Sequence, residues 1–324
     1  MPTVSQDILK QLHKQGDHVS GEELSRRLGI SRTAIWKQIN SLRRMGYVIE
    51  ASPRVGYRLI KTPEQITTQE MNATLNTSVI GQDVLSLPQV PSTNHCIKDY
   101  IKQGAKEGFT LIAQEQTQGR GRRGREWHSQ GKGLYLSIYL KPAIAPQQAS
   151  KLTLLAALAV TEVLHQQYQI PAQIKWPNDV LVADKKICGI LTELSADMES
   201  VHYLIVGIGI NVNQDPDDWP DELRNIASSL KSVSGKEVDS KLLLKRLLSR
   251  MDQLYLLHQG DQFRCLITAS KHYSCIVGKN ITISTASATH RGKAIDIADD
   301  GSLLVEYEDG RTEGLWAGDV SIRT

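Results

Sequence analysis

Three short stretches of this chain gather the residue types that could do chemistry. The densest is Gly119-Arg120-Gly121-Arg122-Arg123-Gly124-Arg125, where glycines let backbone N–H groups approach an anion closely and arginines supply charge. That composition suits a phosphate or a carboxylate. The letters fit G-x-G-x-x-G, but a dinucleotide fold would place an apolar helix next. Here Trp127, Gly131 and Gly133 lead instead into a strand-like apolar run at residues 134–140. A protein-kinase loop is excluded too, since the only two phenylalanines, Phe109 and Phe263, belong to no D-F-G. An arginine-rich RNA-binding run is the remaining competitor, yet such runs are usually disordered and this one is held between two apolar strands.

The second stretch is Lys175-Trp176-Pro177-Asn178-Asp179, with a cation at the end of a strand that otherwise reads as inward-facing. An unpaired buried ammonium costs several kcal/mol, so Lys175 needs an anionic partner, either a ligand or a carboxylate such as Asp179 or Glu193. The third is Gly207-Ile208-Gly209-Ile210-Asn211-Val212. Glycines at alternate strand positions mark close approach of a ligand or of another backbone, and Asn211 is placed to read a base or a ribose. A tightly packed strand pair fits that stretch equally well. No G-x-S-x-G, H-E-x-x-H or thiol-protease arrangement occurs, so hydrolase signals are missing. The residues by themselves point to an anion-binding, nucleotide-using body.

The elements that must position these groups follow from periodicity. Residues 109–113, 134–140, 174–176, 180–183, 187–194 and 203–212 read as strands with short connections. Leu152, Leu155, Ala156, Ala159 and Val163 follow helical spacing, as do Leu243, Leu244, Leu247, Met251 and Leu254, and both stripes read as core. After Cys275 short strands alternate with Asp300-Gly301 and Asp309-Gly310 turns, the pattern of a small β-barrel.

The first 62 residues have a different character. Val4, Ile8, Leu9 and Leu12 suit an amphipathic helix, Ser20 and Glu23 form a capping box for a second, and Gly29 followed by Ser31 turns into a third. This is helix-turn-helix spacing, and residues 47–51 and 56–60 add a wing joined around Pro53 and Arg54. Arg32, Thr33, Lys37, Asn40 and Arg43 stay on the outer face of the third helix, and the wing adds Arg54 and Arg58. All seven are candidates for contact with DNA bases and phosphates. A protein-docking module with solvated charges is the plainer alternative.

Charge supports the division. Residues 1–62 hold eleven Lys and Arg against five Asp and Glu, a local charge of +6, so the rest of a chain with +3 overall carries −3. Nucleic-acid contact is therefore expected at the head alone. A chain of 324 residues exceeds one ordinary domain, so two or three are expected. The longest apolar stretch, residues 152–164, is short of the ~18–20 residues of a membrane span. Asp7, Lys10 and His13 interrupt any signal-peptide pattern, so a cytoplasmic protein is expected. Cys96, Cys188, Cys265 and Cys275 form no C-x-x-C and read as reduced packing residues.

Together these residues resemble the bifunctional biotin protein ligase and biotin operon repressor family. The match runs from the winged head through Ser92-Thr93-Asn94, Gln116, the 119–125 loop, Lys175 to Asp179, K-I-C-G-I-L at 186–191 and Gly207 to Asn211 to the terminal barrel. The resemblance implies an α+β chain of three domains. These are a winged helix-turn-helix at 1–62, a central mixed-sheet ligase domain with flanking helices, similar to class II synthetases, at 66–272, and an SH3-like β-barrel at 276–324. It implies biotin, ATP and Mg2+ as substrates and cofactors, with no protein metal ligands assigned. Ser92, Thr93, Asn94, Gln116, Arg120, Gly121, Arg122 and Lys175 would bind biotin. Arg120, Arg122, Arg123, Trp127, Asn178 and Asn211 would bind the adenylate, with Lys175 and Arg122 catalytic. The implied partners are the biotin carboxyl carrier protein, operator DNA and a second copy of the chain, joined when biotinyl-5′-adenylate forms. An adenylate-sensing regulator without transfer activity and a lipoate ligase are the rivals. Residues 215–224 are less familiar and receive no role.

Overall fold

Local chemistry sets the limits of the first elements. α1 (Val4–Gln15), α2 (Gly21–Leu28) and α3 (Arg32–Arg44) precede a hairpin of β1 (Val48–Ser52) and β2 (Gly56–Lys61). Ser20 and Ser31 accept from the N–H groups of Glu23 and Ala34 at 3.0 and 3.2 Å, and Gly29, at φ 66°, turns the chain between α2 and α3. Ile8, Leu9, Leu24, Ile35, Ile39 and Leu42 close a core of the head's own. The computed structural model describes residues 3–259, 263–284, 289–316 and 318–322.

The body opens with α4 (Thr68–Thr74), β3 (Val84–Val90), α5 (Thr93–Lys102), β4 (Thr110–Gln116) and β5 (Leu134–Leu140). α6 (Ser150–Tyr168), β6 (Gln173–Lys175), β7 (Asp179–Val182), β8 (Lys185–Ala196) and β9 (Val201–Ile210) follow. It closes with α7 (Asp221–Arg224), α8 (Leu230–Ser234), α9 (Ser240–Gln259) and α10 (Phe263–His272). The sheet order is β3-β4-β5-β9-β8-β7-β6, parallel between β3 and β4 and antiparallel elsewhere. α5 carries too many polar residues to stand out by periodicity, β3 is interrupted by Pro88, and neither was expected from the sequence. Trp176 and residues 211–212, expected within strands, lie just past the ends of β6 and β9.

Period-two alternation divides the sheet's side chains between its faces. Leu136, Ile138 and Leu140 of β5 and Leu204, Val206 and Ile208 of β9 join the cluster of α6 and α9. Tyr139 and Ile205 lie on the opposite face with Ile97 of α5. All seven residues of β5 are buried because helices cover both faces.

The C-terminal strands are β10 (Asn280–Ser284), β11 (Thr289–Ile297), β12 (Leu303–Tyr307), β13 (Thr312–Leu315) and β14 (Asp319–Ile322), antiparallel in the order β13-β12-β11-β10-β14. Gly301 and Gly310 have φ of 87° and 79°, as the two Asp-Gly turns require. Ile281, Ile283, Ala294 and Leu303 belong to the same apolar cluster as Leu155 and Val180, so this sheet is packed onto the body. Among the described residues no helix is long and apolar enough to cross a membrane.

One buried carboxylate ties the last long helix to the start of the sheet. Asp252 of α9, 5% exposed, accepts the N–H groups of Ser78, Val79 and Ile80 at 2.7, 2.8 and 2.8 Å. Asp252→Ala would leave these donors without their acceptor and is expected to lower unfolding stability by at least about 2 kcal/mol in urea titration. A loss under about 0.5 kcal/mol would show that the carboxylate does not hold this junction.

Candidate functional site

Register across the sheet builds the site. In antiparallel pairs, residues directly opposite share a face. Tyr135, Gly209, Gly189, Asp179 and Lys175 are successive partners across β5, β9, β8, β7 and β6, and Ser137, Gly207 and Leu191 form the next row. Side chains on this face shrink from Tyr139 and Ile205 to serine and glycine, leaving a depression in the sheet. Over it lies a cavity of about 510 Å³.

The small residues make room for two particular side chains. A Cβ on Gly207 would sit 2.2 Å from Asn94 Oδ1, and one on Gly209 would sit 2.5 Å from Trp127 Nε1. A Cβ on Gly189 would also strike the Trp127 ring, at 2.7 Å. The alternate glycines thus receive an amide and an indole, where the sequence suggested a ligand or a backbone. Asn94 is locked in place. Its Nδ2 donates to the Leu191 carbonyl and to Glu193 Oε1 at 3.1 and 3.2 Å, and its Oδ1 accepts from Ser137 Oγ at 2.6 Å. Thr93 donates to Gln116 Oε1 from its N–H at 2.8 Å and from its hydroxyl at 3.1 Å, and Gln116 Nε2 donates to Ser129 Oγ at 2.9 Å. Ser92 is the N-cap of α5, but its buried hydroxyl makes no capping bond.

Cations line the far side, toward β6. Arg122 Nη1 donates to Asn178 Oδ1 at 2.8 Å and to the Gly318 carbonyl at 3.2 Å. Asn178 is itself held by Nδ2 to the Ile190 carbonyl at 3.1 Å. Lys186 pairs with Asp179 at 2.7 Å and lies 5.2 Å from the centroid of the Trp127 ring. Lys175 was expected to need a carboxylate or a ligand. Asp179 pairs with Lys186 and Glu193 with Lys98, and among the described residues no carboxylate lies within 4.0 Å of the Lys175 ammonium.

The arginine loop departs from expectation in one respect. The Gly121 N–H donates to the Arg125 carbonyl at 2.7 Å and the Trp127 N–H to the Gly119 carbonyl at 3.0 Å, so these two donors serve the loop's own hairpin. The loop offers the cavity side chains rather than a cradle of these N–H groups. Ser92, Thr93, Asn94, Gln116, Arg120, Gly121, Arg122, Trp127, Lys175, Asn178 and Asn211 all line the cavity, whereas Arg123 does not. With φ 56°, Arg123 turns toward the C-terminal sheet and donates to the Ser284 carbonyl at 3.0 Å. Asn211 uses its Nδ2 to bond the carbonyls of Lys186 and Ser228 at 3.2 and 3.0 Å, so that donor holds the cavity wall.

Sequence reasoning gave no role to Lys186, His128, Trp219 or Ile226, and offered Asp179 only as a partner for Lys175; all five line the cavity. Lys186 was visible in K-I-C-G-I-L without a signal of where it points. Residues 215–224 reach the rim because Lys132 pairs with Asp215 and Asp218 at 3.3 and 2.7 Å, and Lys231 with Asp215 at 2.8 Å. Hydrogen bonds from Lys231 and Lys132 hold the Asp215 carboxyl below its ordinary range. Burial pushes the Tyr135 phenol up, so it stays a donor, to the Gln130 carbonyl at 2.7 Å. Trp127 Nε1 and His128 Nε2 are buried at the cavity without a hydrogen-bond partner among the described residues, as acceptors on a bound ligand would explain. No group of three or more His, Cys, Asp and Glu side chains converges among the described residues.

On the head, Arg32, Thr33, Lys37, Arg43, Arg54 and Arg58 are exposed and Asn40 is half-buried. Arg43 has a second duty, since Nε and Nη2 donate to the Ile49 carbonyl of the wing at 3.0 and 2.7 Å. Trp36, 55% exposed on α3 beside these residues, was not singled out from the sequence.

Comparison with known proteins agrees along the whole chain. Residues 86–211 match the biotin/lipoate A/B protein ligase family, residues 4–58 an HTH domain, and residues 276–323 a biotin protein ligase C-terminal domain. The bifunctional ligase/repressor BirA of Bacillus spizizenii is 39% identical over 99% of both chains. A biotin--[acetyl-CoA-carboxylase] ligase of Mycobacterium tuberculosis is 31% identical over 72% of this chain and 86% of its own. The solved biotin protein ligase of Aquifex aeolicus in complex with biotin and ATP superposes with a TM-score of 0.64 at 32% identity, covering 74% of this chain and 98% of that one.

The fit of Asn94 over Gly207 is directly testable. Gly207→Ala is expected to cost about 1–3 kcal/mol in chemical denaturation by overpacking. Asn94→Ala in the same chain should remove most of that penalty. Additive losses would place the clash elsewhere.

Proposed function

Because the chain belongs to the family of bifunctional biotin ligase/repressors, we propose that it activates biotin with ATP, transfers it to a lysine of a carboxyl carrier protein and represses transcription through its head. The observation that carries the catalytic assignment is the cross-strand row ending at Lys175, which pairs with no carboxylate among the described residues and lines the same cavity as Arg122 and Lys186. Neutral polar groups, Ser92, Thr93, Asn94 and Gln116, line the part of the cavity over β4, β5 and β9, and they suit the uncharged ring system of biotin. Its carboxylate then extends toward β6 and the cations, where the triphosphate of ATP belongs. Mg2+ bound to those phosphates would neutralise part of their charge.

Two displacements complete the reaction. A biotin carboxylate oxygen attacks the α-phosphorus of ATP, the bond to the β-phosphate bridging oxygen breaks, and pyrophosphate leaves. The neutral amine of the acceptor lysine then attacks the acyl carbon, AMP leaves, and loss of a proton yields the amide. Neither step needs a protein nucleophile, so catalysis rests on positioning and on charge stabilisation. Lys175 and Arg122 balance charge gathering at the α-phosphate, Lys186 is poised beside Asp179 to meet the carboxylate, and Trp127 walls the cavity. Arg120 closes over the adenylate. The cavity gives no site to Arg123, so its part is to hold the loop.

On the same reading the protein works in the cytoplasm. Adenylate binding orders the arginine loop and completes a surface on which a second copy docks. A two-fold dimer would present two winged heads to a palindromic operator, with Arg32, Thr33, Lys37, Arg54 and Arg58 reaching the duplex.

The test mixes the protein with biotin, Mg-ATP and a biotin-accepting carrier domain and measures the carrier's mass. A biotin-sized gain is expected, with the rate falling about 10²–10³-fold in Lys175→Ala. No gain with adenylate retained would leave a sensor without transfer, and preference for lipoate in competition would move the chain to the other branch of its family. For the head, the logarithm of DNA affinity should fall with the logarithm of salt at a slope of about −0.9 per neutralised phosphate. A flat salt dependence would remove the DNA assignment.

A further inference from the structure

α4 stands between the two apolar cores and belongs to both. Ala73 packs into the head's cluster and Met71 into the body's. Bonds to β3 fix the helix on the body. Asn72 exchanges two with Val84, Nδ2 to the carbonyl at 3.0 Å and N–H to Oδ1 at 2.8 Å, and Ser86 N–H donates to Thr68 Oγ1 at 2.9 Å. On the other side Thr67, the N-cap of α4, shares a 2.6 Å hydrogen bond with the hydroxyl of Tyr47, which is 2% exposed in the head.

Between these anchors lies Glu70, 3% exposed. Its Oε2 is 3.1 Å from His13 Nε2 of α1, and its Oε1 is 3.2 Å from Lys245 Nζ of α9. One carboxylate thus bonds the head with one oxygen and the body with the other. Burial pushes the Glu70 carboxyl up, but His13 and Lys245 outweigh it and hold the group below its ordinary value. Lys241, one turn before Lys245 on α9, grips the preceding segment, donating to Thr62 Oγ1 at 2.9 Å and to the Pro63 carbonyl at 2.5 Å. A flexible tether would leave the head free to turn. Here the chain between head and body is bonded on both sides.

We infer that α4 is a rigid coupling that fixes the heading of the DNA-binding head on the ligase body, with Glu70 as its positioning residue. Two heads carried by a dimer then reach two half-sites at one spacing set by the bodies. Simultaneous engagement strengthens binding by about 10²–10⁴ when geometry permits it, and that gain disappears when geometry does not. This inference rests on the repressor reading above.

The experiment uses the full-length protein. Duplexes are selected from a random library by the wild type in the presence of biotin and Mg-ATP, then prepared with one and with two half-sites. In parallel, spin labels on the exposed Cys265 of α10 and on Glu50→Cys of β1, in a Cys96→Ser background, report the distance between body and head. Glu70→Ala and Lys245→Met are expected to leave biotin transfer and one-half-site affinity unchanged. Two-half-site affinity should fall about tenfold or more, and the distance distribution should broaden. Glu70→Gln, which keeps an acceptor for Lys245, should recover part of the loss. Unchanged two-site binding with a narrow distance distribution would overturn the inference. An equal loss on one and two half-sites would overturn it as well, because Glu70 would then be supporting the head's own fold. Should Glu70→Ala fail to fold, Lys245→Met keeps the bond to His13 and carries the same comparison. If the wild type selects no duplex, the repressor reading fails, and the distance measurement still decides the coupling.

Discussion

Arg122, Lys175 and Lys186 line one cavity, and like charges gathered there repel one another unless the fold fixes each of them. The fold treats the three differently. Lys186 is neutralised by Asp179, whereas Arg122 is oriented by bonds to an asparagine oxygen and a backbone carbonyl. Lys175 stands opposite Asp179 in register, but that carboxylate is engaged by Lys186. Much of the surrounding structure exists to keep this arrangement, including the short β6–β7 hairpin that places Asn178 and Asp179 within reach of residues far along the chain.

The C-terminal sheet is part of the same device. Its carbonyls at Ser284 and Gly318 receive Arg123 and Arg122, and the Gly301 carbonyl accepts from Trp176 Nε1 at 3.0 Å. Because this sheet shares an apolar cluster with the body, those acceptors are firmly mounted. A loop rich in arginine and glycine has little core of its own, so its shape depends on partners that arrive later in the chain. The cavity wall follows a similar logic on its other flank, where Asn211 and the ion pairs of Lys132 tie residues 213–231 to the sheet and the Lys231–Asp215 pair braces that segment within itself.

The head is a contrast in construction. Its core is built by its own three helices and wing, with Ala73 of α4 added to it, and its basic face is local. What the body supplies is direction, through a helix that both cores share. Arg43 shows the same economy at smaller scale, bracing the wing at Ile49 while remaining on the exposed side of α3.

The capped turn at Ser20, Gly29 and Ser31, the wing, the Asp-Gly turns and the apolar helices were legible in the sequence, because each is decided within a few residues by capping, backbone conformation or periodicity. So were the arginine, lysine and glycine stretches whose residues the fold gathers at one cavity. Not legible were α5, whose polar residues hide its period, β3, which Pro88 interrupts, the place of Lys186, the cavity-lining part of residues 215–224 and the turning away of Arg123. The sequence offered Asp179 and Glu193 as partners for Lys175, and only the register of β6, β7 and β8, together with Lys186 and Lys98, removed both. Local sequence determines which elements form and what charge they carry. Which side chains meet is set by strand register and by contacts between residues as much as 196 positions apart, as from Arg122 to Gly318, and short-range physics carries no information about those distances.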